Sequence, residues 1–257
     1  MKRTSPVTLA ALVLSVGSVH AQQTARPQDT EVWVPVPPVV TPGTPMVGTV
    51  PPSDAVVLFG GTHLDEWVNS RDRSPADWTV ADGVMTVVKS AGNIETRRRF
   101  RNFQLHIEWR IPEHITGSDQ ARGNSGVFLA LTEEGGYELQ ILDSYRNETY
   151  VNGMAASIYK QSIPLVNASR PPGEWQTYDI VWTAPRFGPD GTLESPARVT
   201  AFHNGVLVQN DFELRGFTVY TGQPRYHAHG DAPIMLQAHG DPSPPISFRN
   251  IWVRPLD

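Results

Sequence analysis

Two dipeptides constrain this chain more than any other feature. Asp82-Gly83 interrupts an alternation of apolar and polar residues running from Trp78 to Val88, and Asn204-Gly205 does the same within 198–208. Both positions of such a pair tolerate positive φ, as a two-residue type I′ hairpin turn requires. Short runs of similar pattern at 103–110, 126–131, 137–142, 175–183, 232–238 and 246–253 are separated by turn-forming residues. No segment sustains a helical period. Many short strands joined by tight turns predict an all-β sandwich or jelly roll.

The 257 residues divide by composition into three parts. Lys2 and Arg3 precede an apolar run from Val7 to Val19, and Val19-His20-Ala21 offers small residues at a cleavage position. Residues 1–21 therefore read as a signal peptide, and the mature protein is expected in the periplasm or outside the cell. The run is too short for a membrane span, so no integral span is expected in the mature form. No Cys precedes the cleavage position to take a lipid. Residues 22–53 read as a Pro-rich linker, because seven prolines between Pro35 and Pro52 remove donors and favour extended backbone. Interleaved valines and Trp33 give part of it the means to lie across a domain surface. Residues 54–257 carry the strand pattern.

A chain without cysteine has neither disulfides, thiolate metal sites nor thiol catalysis, and must rely on its core. The net charge of −5 and a single basic cluster, Arg97-Arg98-Arg99 with Arg101, argue against a nucleic-acid partner. Six tryptophans, Trp67, Trp78, Trp109, Trp175, Trp182 and Trp252, suit a sandwich core, though any of them could face a sugar.

The segment from Gly136 to Asp143 places polar groups in an apolar strand. Successive side chains alternate between faces, so Glu138 and Gln140 share one face and Tyr137, Leu139 and Ile141 the other. A bulge near Leu142 would return Asp143 to the polar face, giving the paired carboxyls of sugar-cleaving enzymes. Leu105, Ile107 and Trp109 alternate with His106, Glu108 and Arg110, so Glu108 is expected on a polar sheet face near Glu138. His239 ends an apolar strand before a Pro-rich loop and suits proton transfer. Lys160 is a candidate charged group. His227, His229 and Asp231 have the spacing of a weak site for a divalent metal ion. Gly123-Asn124-Ser125-Gly126 precedes a strand without the Gly-x-Ser-x-Gly pattern of a nucleophile elbow.

Several segments together resemble one family. Leu58-Phe59-Gly60-Gly61 with Leu64-Asp65 and Trp67 is similar to its opening "LFNG…LDGW" motif. Gly123 to Leu129 resembles "GNSGVF", and Gly136 to Asp143 resembles "GYE.QILD". Glu174 to Tyr178 and Asn204-Gly205 resemble "EWNTYEI" and "NG". Ile234 to Asp241 and Phe248 to Trp252 resemble "I.LQ.HG" and "FRNIW". On these motifs the chain is identified as a member of the 3-keto-disaccharide hydrolase family.

That resemblance implies a concanavalin A-like lectin/glucanase sandwich of two curved antiparallel sheets. It also implies a glycoside substrate whose 3-hydroxyl is already a ketone. The ketone acidifies the C2 proton, a base removes it, the C1 substituent departs, and water adds back. Glu138, Asp143, Glu108, His239 and Lys160 are the expected catalytic groups, with base and acid not distinguished. Lys160 is expected at the enolate oxygen. Gln140, Asn124, Ser125, Gln237 and Arg249 are the expected substrate-binding residues. A divalent metal ion is the one cofactor the family brings into question. Related glucanases carry Glu-x-Asp-x-x-Glu where this chain reads Glu138-x-Gln140-x-x-Asp143, which counts against a glucanase of unoxidised glycans. A non-catalytic carbohydrate-binding module is a further alternative, because the fold alone does not fix function.

Overall fold

A computed structural model of the chain describes residues 24–44 and 48–256. The 1–21 segment read as a signal peptide lies outside them. Two antiparallel sheets carry nearly all the regular structure, and the helical turns among the described residues are short 3-10 turns. The larger sheet runs in the order Val206–Glu213 (β13), Arg198–His203 (β12), Trp175–Thr183 (β9), Phe103–Arg110 (β6), Ser247–Pro255 (β15), Val84–Thr86 (β4) and Thr79–Ala81 (β3), with Val56–Phe59 (β1) also paired to β15. The smaller runs Trp67–Asn69 (β2), Ile94–Thr96 (β5), Met235–Leu236 (β14), Ser125–Thr132 (β7) and Gly135–Ile141 (β8). Arg186–Phe187 (β10) and Leu193–Ser195 (β11) form a separate short ribbon. This is the predicted all-β jelly-roll sandwich.

Both hairpin dipeptides turn as their chemistry predicts. Asp82 and Gly83 have φ of 51° and 78°, and Asn204 and Gly205 have φ of 53° and 78°. The inward residues of the sheets meet in one core, led by Trp67, Trp109, Trp182, Tyr137, Tyr178, Phe59, Phe103 and Phe248. Trp78 and Trp252 are buried too, while half-buried Trp175 stacks under the guanidinium groups of Arg110 and Arg249. None of the six lines the cavity described below.

The Pro-rich segment lies along the sandwich as a strap. Val39 and Asn167 form a parallel bridge, Val151 N donates to Val32 O at 2.7 Å, and Asn250 Nδ2 donates to Thr49 O at 3.0 Å. Its prolines lack donors, so most of the bonds fixing it come from the domain to its carbonyls.

Strand β8 is an edge, and an unpaired edge invites association unless it is covered. Two loop segments cover it. Tyr159 N donates to Glu138 O at 3.1 Å and Ala156 N to Gln140 O at 3.0 Å, while Thr218 N donates to Gly136 O at 2.7 Å. This covering brings remote loop residues to the strand that carries Glu138.

Candidate active site

Tyr137, Leu139 and Ile141 of β8 enter the core, so Glu138 and Gln140 face the other way. Phe128 of β7 lies opposite Glu138, and Gly126 lies opposite Gln140. The bare Cα of Gly126 leaves the room that the Glu138 carboxyl fills. Residue 237 follows β14 and continues this face, its N donating to Gly126 O at 3.1 Å.

A cavity of about 240 Å³ opens on this face, lined by Asn124, Glu138, Gln140, Tyr159, Thr218, Tyr220, Gln237 and His239. Glu138 is its one acidic residue and is only 6% exposed. No cation pairs with its carboxyl among the described residues, and burial pushes it up to about 8. Its backbone N donates to Thr218 Oγ1 at 3.0 Å. The Gln140 side-chain amide lies within hydrogen-bond distance of Glu138 Oε1, at 3.1 Å, once oriented so that its nitrogen donates to Glu138 and to Ser125 O. Gln237 Oε1 is buried without a donor among the described residues.

His239 borders the cavity with Nδ1 3.1 Å from Asp241 Oδ2 and 3.2 Å from Asp241 N; with Nδ1–H donating to the carboxylate, Nε2 is the ring nitrogen without a partner among the described residues. Burial alone would raise the Asp241 carboxyl, but hydrogen bonds from Ser243, His239 and Lys89 hold it below the usual carboxylate value. A charged, buried carboxylate beside one imidazole nitrogen fixes the orientation of the ring.

Tyr159 and Tyr220 escaped the sequence reading. Tyr159 Oη lies 2.6 Å from Tyr150 Oη, and burial, reinforced by the nearby Glu138, pushes Tyr159 up to about 12. The signal available was the Tyr159-Lys160 pair itself, of which only the lysine drew attention.

Several expected residues stand elsewhere. Strand β8 ends at Ile141 with no bulge near Leu142; the irregularity falls across from it, between Phe128 and Leu131. Asp143 consequently turns to Arg122, whose Nε donates to it at 2.6 Å, and to Tyr145 N at 3.1 Å. It clamps two loops and does not line the cavity. Glu108 lies on β6 of the other sheet and points away from the core, so the whole sandwich separates it from Glu138. Arg249 is its partner there, at 2.6 Å, and both leave the site. Burial opposes ionisation of Glu108, yet hydrogen bonds from His106, Asn250, Arg249 and Gly48 N hold it down to about 2.

Lys160 donates from Nζ to Pro27 O at 2.7 Å and Tyr220 O at 2.9 Å, so its ammonium ties the strap to the Tyr220 loop and does not line the cavity. Ser125 Oγ donates to Gln237 O at 2.7 Å and is equally structural. His229 Nε2 lies 2.9 Å from Tyr137 Oη, His227 stacks on Phe217, and Asp231 is exposed, so the three do not converge. No group of three or more His, Asp or Glu side chains is placed to hold a metal ion among the described residues. One carboxyl with a raised pKa, one imidazole and amides do not make the hard oxygen cage a divalent ion wants.

The sequence profile of the 3-keto-alpha-glucoside-1,2-lyase-like domain matches residues 54–254. The 3-keto-disaccharide hydrolase of Bacteroides thetaiotaomicron is 26% identical over 157 residues, 49% of this chain and 51% of that protein, so the chain spans about half the length of this curated relative. A crystal structure from Parabacteroides distasonis, provisionally described as a glycosyl hydrolase, is 53% identical with a TM-score of 0.78, covering 89% of this chain and 96% of that one. A second from the same organism, 20% identical with a TM-score of 0.59 over 79% of this chain and 94% of that one, shares the fold.

Proposed function

The chain belongs to the 3-keto-alpha-glucoside-1,2-lyase-like family, and on that premise we propose that it is a glycoside-cleaving enzyme acting on 3-keto-glycosides or 3-keto-disaccharides. One observation carries the reading: a buried carboxyl, Glu138, that holds its proton near neutral pH on the wall of a cavity otherwise lined by neutral hydrogen-bonding groups and one histidine. Unpaired buried acids are costly, and they recur where proton transfer needs them.

In the proposed reaction His239 Nε2 takes the C2 proton, and the C–H electrons form an enolate with charge on the C3 oxygen. Asp241 fixes the orientation of the ring. Hydrogen bonds from Tyr159 and the cavity amides suit the enolate oxygen. The enolate electrons then re-form the ketone and make the C1–C2 double bond as the C1–O bond breaks. Glu138 gives its proton to the departing oxygen. Water adding at C1 completes a net hydrolysis.

The two-carboxylate glucanase reading loses its second member, because Asp143 is held by Arg122 away from the cavity. Export, with cleavage after Ala21, belongs to the same proposal and is checked by sequencing the N-terminus of the mature protein.

The test is to incubate the purified protein with 3-keto-trehalose in deuterated water and follow products by NMR. Release of the second sugar with deuterium at C2 is expected. Full activity in Glu138→Gln would sink the assignment of the acid. Binding without any product would instead favour a carbohydrate-binding module.

A further inference from the structure

The cavity around Glu138 is not closed at its outer end. A larger space of about 530 Å³ adjoins it, and the two share Asn124, Tyr159, Tyr220 and His239 as common walls. The far wall of the outer space comes from the Pro-rich strap, through Gln28 and Glu31. We propose that the strap segment 27–31 forms one side of the subsite for the leaving group, and that this wall selects a neutral sugar there. The inference rests on the proposed cleavage of 3-keto-glycosides.

Three observations support it. First, the strap is fixed here and not merely adjacent. Lys160 Nζ donates to Pro27 O, Asn152 Nδ2 donates to Thr30 O at 2.9 Å, and Val32 N donates to Asn152 Oδ1 at 2.9 Å. Second, the same Lys160 ammonium donates to Tyr220 O, so one buried cation sets the strap and the facing Tyr220 loop at a fixed separation. Lys160 is thus a positioning residue for the outer subsite. Third, the lining carries the carboxylates of Glu31 and Asp119, while no Lys or Arg side chain lines the space; Asp241, which also borders it, is already paired with Lys89. Carboxylates and the Gln28 amide accept from sugar hydroxyls, tyrosine rings offer apolar faces with polar tips, and the acidic wall repels an anionic sugar. A substrate whose reacting ring sits against Glu138 must project its C1 substituent toward the mouth, where this space begins.

The experiment compares two substrates of the full-length protein, 3-keto-trehalose and methyl 3-keto-α-glucoside, which differ in whether a sugar fills the outer space. The ratio of their kcat/KM values is measured for the natural chain, Gln28→Ala/Glu31→Ala and Lys160→Met. A drop of tenfold or more in that ratio, carried by KM for the disaccharide, is expected in both variants. Equal losses on the two substrates, or none, would overturn the proposal. Should the double variant unfold, Glu31→Gln carries the test on a 3-keto-disaccharide with a uronate leaving group, whose kcat/KM is expected to rise relative to 3-keto-trehalose. If the natural chain cleaves neither substrate, the functional reading fails by itself. Calorimetry with trehalose and glucose then decides the subsite: trehalose must bind more tightly, and the strap variants must lose that margin.

Discussion

Gly126 and Glu138 occupy one volume between them. A Cβ on Gly126 would stand 3.0 Å from Glu138 Cγ and collide with its carboxyl oxygen. The φ of Gly126 is not in the left-handed region, so the glycine is required there by space and not by backbone conformation.

Gly126→Ala is therefore expected to displace the Glu138 carboxyl without breaking the strand. Loss of kcat approaching the roughly 10²- to 10⁴-fold that a general acid supplies is expected. The thermal midpoint should change little. Steady-state kinetics beside a melting curve checks both, and a variant of undiminished kcat would count against Glu138 as the acid.

Glu138 acts as an acid only while protonated. Burial pushes it up to about 8, so the active form dominates below that pH and is lost above it. The expected profile of kcat/KM falls about tenfold per unit above about pH 8, and Glu138→Gln abolishes that limb.

The same shift has a stability consequence of definite sign. The folded pKa lies above the unfolded value of about 4.3, so stability is full below that and declines as pH rises toward about 8. Glu138→Gln should gain thermal midpoint over the natural chain across this window, at about 2–4 °C per kcal/mol for a domain of this size. Melting curves at pH 4.5 and 8.5 measure it; a constant difference would refute the buried ionisation.

Asp241 touches no reacting atom in the proposed reaction and acts through His239. Asp241→Asn is expected to lower kcat, by up to the roughly 10²- to 10⁴-fold of general-base catalysis, with KM little altered. A rise in KM alone would assign Asp241 to loop structure.

Glu108 separates stability from chemistry. It is fully buried, with Arg249 and His106 as charged partners on the sheet remote from the cavity. Glu108→Ala strands those cations and is expected to cost about 3–5 kcal/mol of stability while leaving kcat unchanged below the melting transition. A large loss of kcat in folded protein would return Glu108 to the site.

The strands and their faces were legible because alternation is a local property. The hairpins at Asp82-Gly83 and Asn204-Gly205, and the outward facing of Glu138 and Gln140, follow from residues adjacent in sequence. His239 was reached by the same local reasoning, whereas Asn124 and Gln237 came with the family resemblance; all three line the cavity. Asp143 failed because strand β8 ends two residues before it and a nearby arginine captures it. Glu108 failed because alternation says which face of its own sheet a side chain takes, but not which sheet.

The sequence alone determined an all-β chain and put one carboxyl, Glu138, on a polar strand face. Only the tertiary structure decided that this carboxyl is solitary and buried. The loops carrying Tyr159 and Tyr220 cover the β8 edge to satisfy its backbone groups, and in doing so they close the cavity. The strap is led past the outer opening by bonds from Lys160 and Asn152 to its carbonyls. Those pairings join residues tens to more than a hundred positions apart, and no local period encodes them.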